Sequence, residues 1–217
     1  TRGQAFIQTP DLRRASAVIL GYLQKQPDQK ALILAPTVRD VHLVRSRLTG
    51  FTPLVITGEE TERERFETWQ AFRSSSQSVL LGTRTALMAV DSSITTIFLL
   101  RSGDKAHKQY DRNPRYDARE VVWEHRRAFG SNLFCLDVAP LPSTISHFNE
   151  SERLNWGMYP SVQIVNVNQE KSASSSALLS HTTLAAIAQT LDSSKQVLCV
   201  YNKKENWMEC LRCQSRS

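Results

Sequence analysis

The sequence predicts an α/β fold, a parallel sheet with helices on both faces, and three observations carry that prediction. Short apolar runs recur at residues 31–35 (ALILA), 53–56 (PLVI), 78–81 (SVLL), 96–100 (TIFLL) and 132–136 (NLFCL). They are apolar throughout rather than alternating, which is how strands buried on both faces read. Between them lie stretches of helical periodicity at 12–24 and 38–48, and a charged stretch at 60–72 that gathers Phe66, Trp69 and Phe72 on one side. The links between strand and helix are short, and that alternation requires parallel pairing with the crossover helices covering the sheet.

Composition narrows the possibilities further. The 217 residues, 41% of them hydrophobic, suffice for one large domain or one and a half smaller ones. A formal net charge of +6 suits an anionic partner, with nucleic acid the first candidate. No apolar run reaches the roughly 18 residues of a membrane span, and no signal-peptide pattern opens the chain, so no membrane partner is expected. A first residue of Thr rather than Met is expected of a segment excised from a longer chain. Of the cysteines, Cys135 and Cys199 sit in apolar strand-like runs and are expected in the core, while Cys210 and Cys213 form a CxxC. Without a secretory signal, a disulfide framework is not expected and a reducing cytoplasm is.

A second segment follows a proline-broken stretch at 139–143. Residues 162–167 (VQIVNV) read as a strand, 169–176 as a serine-rich loop, 178–191 as a helix, and 196–201 (QVLCVY) as a further strand. One β-loop-α-β unit is too small to close a domain by itself. The expected division is therefore residues 1–149 for a first domain and 150–217 for the beginning of a second.

The motifs give this architecture a family. Residues 82–88 read GTRTALM directly after a buried strand, where glycine lets backbone approach a ligand and Thr83 and Arg84 offer donors to phosphate. Upstream lie Thr57-Gly58, Glu64-Arg65-Phe66 and Trp69; downstream come His107-Lys108-Gln109 and the segment PRYDARE at 114–120. This collinear order resembles the primosomal replication-restart helicases (the PriA family), whose pattern runs SG, ER, W, GTRSALF, DEEHD, YKQ, PRYHARD. VQIVNV, the helix LSHTTLAAIAQTL, QVLCVYNKK and the CxxC continue the match. The resemblance implies a RecA-like P-loop-type lobe at 1–149, then the start of a second RecA-like lobe that ends at the first CxxC of a zinc-binding region.

The departures from the family pattern bear on chemistry. A P-loop needs glycines whose backbone N–H groups wrap the phosphates, a lysine for the β/γ charge, and a Ser or Thr on magnesium. The family's TGSGKT falls on Thr9-Pro10-Asp11-Leu12-Arg13-Arg14. There both glycines are gone, Pro10 has no N–H, Asp11 repels phosphate, and only Thr9, Arg13 and Arg14 retain groups that could meet a nucleotide. The DEEH that would hold magnesium and place the attacking water corresponds to Leu100-Arg101-Ser102-Gly103; the following Asp104 is kept. VAPLPS at 138–143 stands where the family has GSATPS. With three losses in agreement, neither ATP hydrolysis nor bound ATP and magnesium is expected.

Residues 101–127 keep more of the family's character. Basic residues are interleaved there with Tyr110, Tyr116 and Trp123, and cations neutralise phosphates while aromatic faces stack on unpaired bases. The resemblance assigns DNA contact to Tyr110, Arg115, Tyr116 and Arg119, and Arg84 and Lys108 join them as donors for phosphate. The competing reading is ordinary solvated helix charge with Trp123 in the core, since acidic residues dilute the patch. Cys210 and Cys213 supply half of a tetrahedral zinc site, so zinc is expected only in the intact protein. His107, His125, His147 and His181 show no ligand spacing with them and read as surface or core histidines. The expected function is a restart-type protein that binds branched or single-stranded DNA and recruits primosome proteins in a bacterial, nucleoid-associated cytoplasm. The alternatives are an active ATP-dependent 3′→5′ helicase in the intact protein and a purely structural platform.

Overall fold

Two apolar strands hold the middle of the sheet. The computed structural model describes residues 3–75, 78–111, 113–155, 163–166 and 179–200. In it β2 (Lys30–Leu34) and β5 (Thr96–Leu100) are buried at every position. Around them run β1 (Gln4–Gln8), β3 (Leu54–Ile56), β4 (Ser78–Gly82), β6 (Asn132–Asp137) and β7 (Arg153–Asn155), in the order β3-β4-β2-β5-β6-β1-β7, with every pair parallel. Successive side chains of a strand face opposite sides, and two cores result. Ala31, Ile33, Phe98 and Leu100 pack against α1 (Leu12–Lys25) and α2 (Val38–Arg45). Leu32, Leu34, Ile97 and Leu99 share the other core with Phe72 of α3 (Glu62–Ser74) and Val122 and Trp123 of α4 (Ala118–Phe129). The edge strands β3 and β7 have three residues each, which limits the unpaired backbone left open to solvent.

Local signals fix the helix ends. Asp11, Thr37 and Asp117 each cap a helix through a side-chain oxygen, and Thr61 and Glu64 form a full capping box on α3. Gly130 ends α4 in the left-handed region, at φ +69°.

The five strands and three helices read from the sequence are present, with ends shifted by at most a few residues. The sequence reading did not single out β1, β7 or α4. Because β7 pairs in parallel with β1, the first compact unit runs Thr1–Tyr159, past the expected division at 149, and the second is Pro160–Ser217. In the second unit the expected helix is found as α5 (His181–Asp192), capped by Ser180, and the first unit also has a one-turn helix at Pro142–Ile145. The two strands expected there are not found: residues 163–166 and 196–200 have no strand, and the remainder of both runs lies outside the described residues. An apolar run becomes a strand only where a neighbour accepts its hydrogen bonds, and Ile164, Leu198 and Val200 stay more than four-fifths exposed. Cys199 is accordingly exposed, whereas Cys135 is buried as expected and its thiol is pushed up by burial. Among the described residues no helix is long and apolar enough to cross a membrane.

Gly82 ends β4 where the backbone of β3 passes closest. A Cβ there would lie 2.0 Å from the Ile56 carbonyl oxygen and 2.7 Å from Ala86 Cβ. Gly82→Ala is therefore expected to lower the unfolding free energy by about 3 kcal/mol in urea titrations; a loss of less than about 1 kcal/mol would show that β3 yields readily.

Candidate functional site

The carboxyl ends of β1, β5 and β6 border an open cleft of about 810 Å³, in the position where parallel sheets of this kind bind their ligands. Its geometry starts with the turn out of β1. Only Thr9, Pro10 and Asp11 separate the strand from α1. Thr9 is buried and its N–H is bound to the Asp137 carbonyl at 2.9 Å. At the first turn of α1 the Asp11 carboxylate accepts the Arg14 N–H at 2.8 Å. A helix N-terminus attracts anions through its free N–H groups, and here a carboxylate of the chain has taken that place. Arg13 lines the cleft and is exposed; the Arg14 side chain is exposed and does not line it.

At the end of β5, Leu100 is fully buried and Arg101 turns into the left-handed region, at φ +48°. Its guanidinium lies 2.9 Å from Asp40 on α2 and 3.0 Å from Asp104. Asp137, at the end of β6, accepts from the Ser102 hydroxyl at 3.0 Å and from the N–H groups of Gly103 and Val138 at 2.7 Å and of Ala139 at 3.3 Å. This donor set does not fit magnesium. A guanidinium stands between two of the carboxylates, the third carboxylate is saturated by N–H and O–H donors, and no glycine cradle faces a phosphate. Among the described residues no cluster of three metal-ligating side chains occurs. Cys210 and Cys213 lie outside the described residues.

The segment after β5 is bolted to the sheet. His107 is buried and donates from Nε2 to the Leu100 carbonyl at 2.8 Å, while its Nδ1 has no partner. Burial holds its pKa below the ordinary value. Arg119 is turned inward: Nε and Nη2 grip the Asp117 carboxylate, and Nη1 donates to the Ser102 carbonyl at 3.0 Å. Burial opposes ionisation of Asp117, yet the Arg119 hydrogen bonds outweigh it and keep the carboxyl below its usual range. Arg84 reaches across to Gln109 Oε1 at 2.8 Å and the Ala106 carbonyl at 2.9 Å, and the Tyr116 hydroxyl donates to the Arg84 carbonyl. Burial raises the Tyr116 pKa.

The structure thus divides the six residues expected to contact DNA. Arg84, Tyr116 and Arg119 are part-buried and spent on protein partners. Lys108, Tyr110 and Arg115 are exposed, with Lys108 Nζ 5.2 Å from the centre of the Tyr110 ring. Trp123 is in the core, as one reading had it, and His147 stacks on it at 4.2 Å. Sequence reasoning did not identify Asp40 and Asp137, which engage Arg101 and Ser102 beside the cleft. Asp137 offered only the signal of an acidic residue at a strand end, and Asp40, on a helix, offered none.

The sheet order and its covering helices define a RecA-like fold of the kind found in helicase C-terminal lobes. Residues 14–112 match the helicase conserved C-terminal domain. The C-terminal domain of S. cerevisiae Dbp5 superposes with a TM-score of 0.54 at 13% identity, covering 72% of this chain and 90% of that one. The Pyrococcus furiosus Hef helicase domain gives 0.51 at 19% identity, covering 71% and 35%. At such identities these two show the fold alone.

In sequence the chain is similar to the replication restart protein PriA. It is 25% identical to that of Chlamydia pneumoniae over 182 residues, 79% of this chain and 24% of the relative. For PriA of Rickettsia prowazekii (strain Madrid E) the identity is 23% over 212 residues, 92% of this chain and 32% of the relative. The chain therefore spans between a quarter and a third of the length of these relatives.

The state of His107 has a measurable consequence. Burial holds its folded pKa below the ordinary histidine value, so as pH falls the unfolded chain takes up the proton first and stability declines. The decline begins near the unfolded pKa and levels off below the folded one. The urea midpoint of the wild type is expected to drop between pH 7.5 and 5.5. In His107→Gln that component should vanish, and an unchanged drop would assign it to another group.

Proposed function

We propose that this chain is the DNA-binding, non-hydrolysing motor-like lobe of a replication-restart protein of the PriA type, followed by the start of a second RecA-like lobe. The observation that carries the reading is the lining of the cleft at the ends of β1, β5 and β6. The α1 N-terminus is capped by Asp11, and the Arg101 guanidinium sits between Asp40 and Asp104 at the end of β5. A lobe built this way neither wraps the phosphates of ATP nor places magnesium on them. The collinear similarity to PriA supports the restart context. The exposed group Lys108, Tyr110 and Arg115 supplies what a single strand needs, cations for phosphates and an aromatic face for an unpaired base. The expected setting is the bacterial cytoplasm at the nucleoid, with branched or single-stranded DNA and primosome proteins as partners. In the intact protein Cys210 and Cys213 would contribute two thiolates to a zinc site.

Two measurements test this. A fluorescent ATP analogue with magnesium, followed by anisotropy, is expected not to bind this chain or the intact protein up to millimolar concentration. ATP turnover abolished by Arg13→Ala would replace the proposal with an active motor. For DNA, Arg115→Ala and Lys108→Ala are each expected to weaken binding of a single-stranded oligonucleotide. Each should also reduce the slope of log affinity against log salt by about 0.7. Unchanged affinity in both would favour a structural platform.

A further inference from the structure

Arg101 ties three elements together. Its guanidinium joins the end of β5 to Asp40 of α2 and to Asp104 of the following loop. The Asp40 side chain is only 9% exposed, so solvent screens the pair little on that side. The arginine is held in a left-handed backbone conformation that disfavours any residue with a Cβ, so its side-chain bonds must outweigh that preference. From Asp104 the connection continues outward. Its second oxygen accepts the Ala106 N–H at 2.9 Å and shapes the short turn Lys105–His107. The Ala106 carbonyl receives Arg84, and Lys108 and Tyr110 follow directly.

In nucleotide-driven switches a metal and a terminal phosphate order the loops around them, and those loops relax when the phosphate leaves. Here a covalently attached cation, the Arg101 guanidinium, lies between Asp40 and Asp104 at the end of β5, and it cannot dissociate. We propose that Arg101 is a built-in cation that holds the 101–110 loop permanently in one shape. The DNA binding inferred above, on which this inference rests for its functional consequence, is then independent of divalent metal and of nucleotide. Arg101 acts through Asp104 and the turn, as a positioning residue that does not touch DNA.

Hydrogen exchange tests the lock without DNA. The Gly103 and Ala106 amides of the wild type are expected to exchange at rates equal within about twofold in EDTA and in magnesium with ATP. In Arg101→Ala they should exchange about tenfold faster. A nucleotide-dependent change in the wild type, or unchanged protection in Arg101→Ala, would overturn the proposal. Anisotropy with a labelled oligothymidine tests the consequence. Arg101→Ala should weaken binding about tenfold with an unaltered salt slope, and a slope reduced by about 0.7 would mean that Arg101 contacts phosphate itself. If Arg101→Ala fails to fold, Asp104→Asn decides by sign. Removing a carboxylate strengthens DNA binding if charge alone matters, and weakens it if the tie to Arg101 positions the loop. A wild type that ignores DNA would remove the proposed function but leave the lock to be judged by exchange.

Discussion

The Asp137 carboxylate holds the carboxyl end of this sheet together. It sits at the end of β6 and takes hydrogen bonds from Ser102, Gly103, Val138 and Ala139, while its own carbonyl receives Thr9 from the end of β1. A nearly buried carboxylate is tolerated only when its lone pairs are used. Here they are used on the backbone and hydroxyl groups that define how three neighbouring strands end. The close approach is helped by Gly103, where a Cβ would stand 2.9 Å from the Ala139 carbonyl oxygen. Once this point is fixed, Arg101 is presented to Asp40, and Ser102 offers its carbonyl to Arg119.

From that anchor the loop after β5 is organised in two layers. The inner layer consists of side chains whose hydrogen-bonding capacity is spent within the protein: His107, Arg119 with Asp117, and Arg84 with Gln109. The outer layer is exposed and lightly engaged, with Lys108 resting against the Tyr110 ring. Such a division suits recognition. The groups that would meet a ligand lose little freedom on binding if the backbone beneath them is already set.

How much of this was legible in the sequence depended on the kind of interaction. Strands β2 and β5 were plain because burial on both faces leaves an uninterrupted apolar run. β1 was overlooked, since QAFIQ places three apolar residues between glutamines. β7, a three-residue edge strand with every position exposed, carries almost no hydrophobic signal. The run 196–200 misled in the opposite sense, because hydrophobicity reports a wish for burial and says nothing of a pairing partner. At the site, positions 9–14 and 100–103 could be singled out by resemblance. Their compensation could not: Arg101 finds Asp40 at a separation of 61 residues and Ser102 finds Asp137 at 35, and no local pattern encodes either pairing.

Leu100 limits what this strand end can hold. It is fully buried and belongs to the apolar cluster under α1 and α2. An acidic residue at that position would strand a carboxylate among aliphatic side chains, at a cost of several kcal/mol. Replacing Arg101 alone would leave Asp40 without its cation. Each change toward a metal-binding strand end is therefore disfavoured until the other has been made, so positions 100 and 101 resist substitution as a pair rather than one at a time.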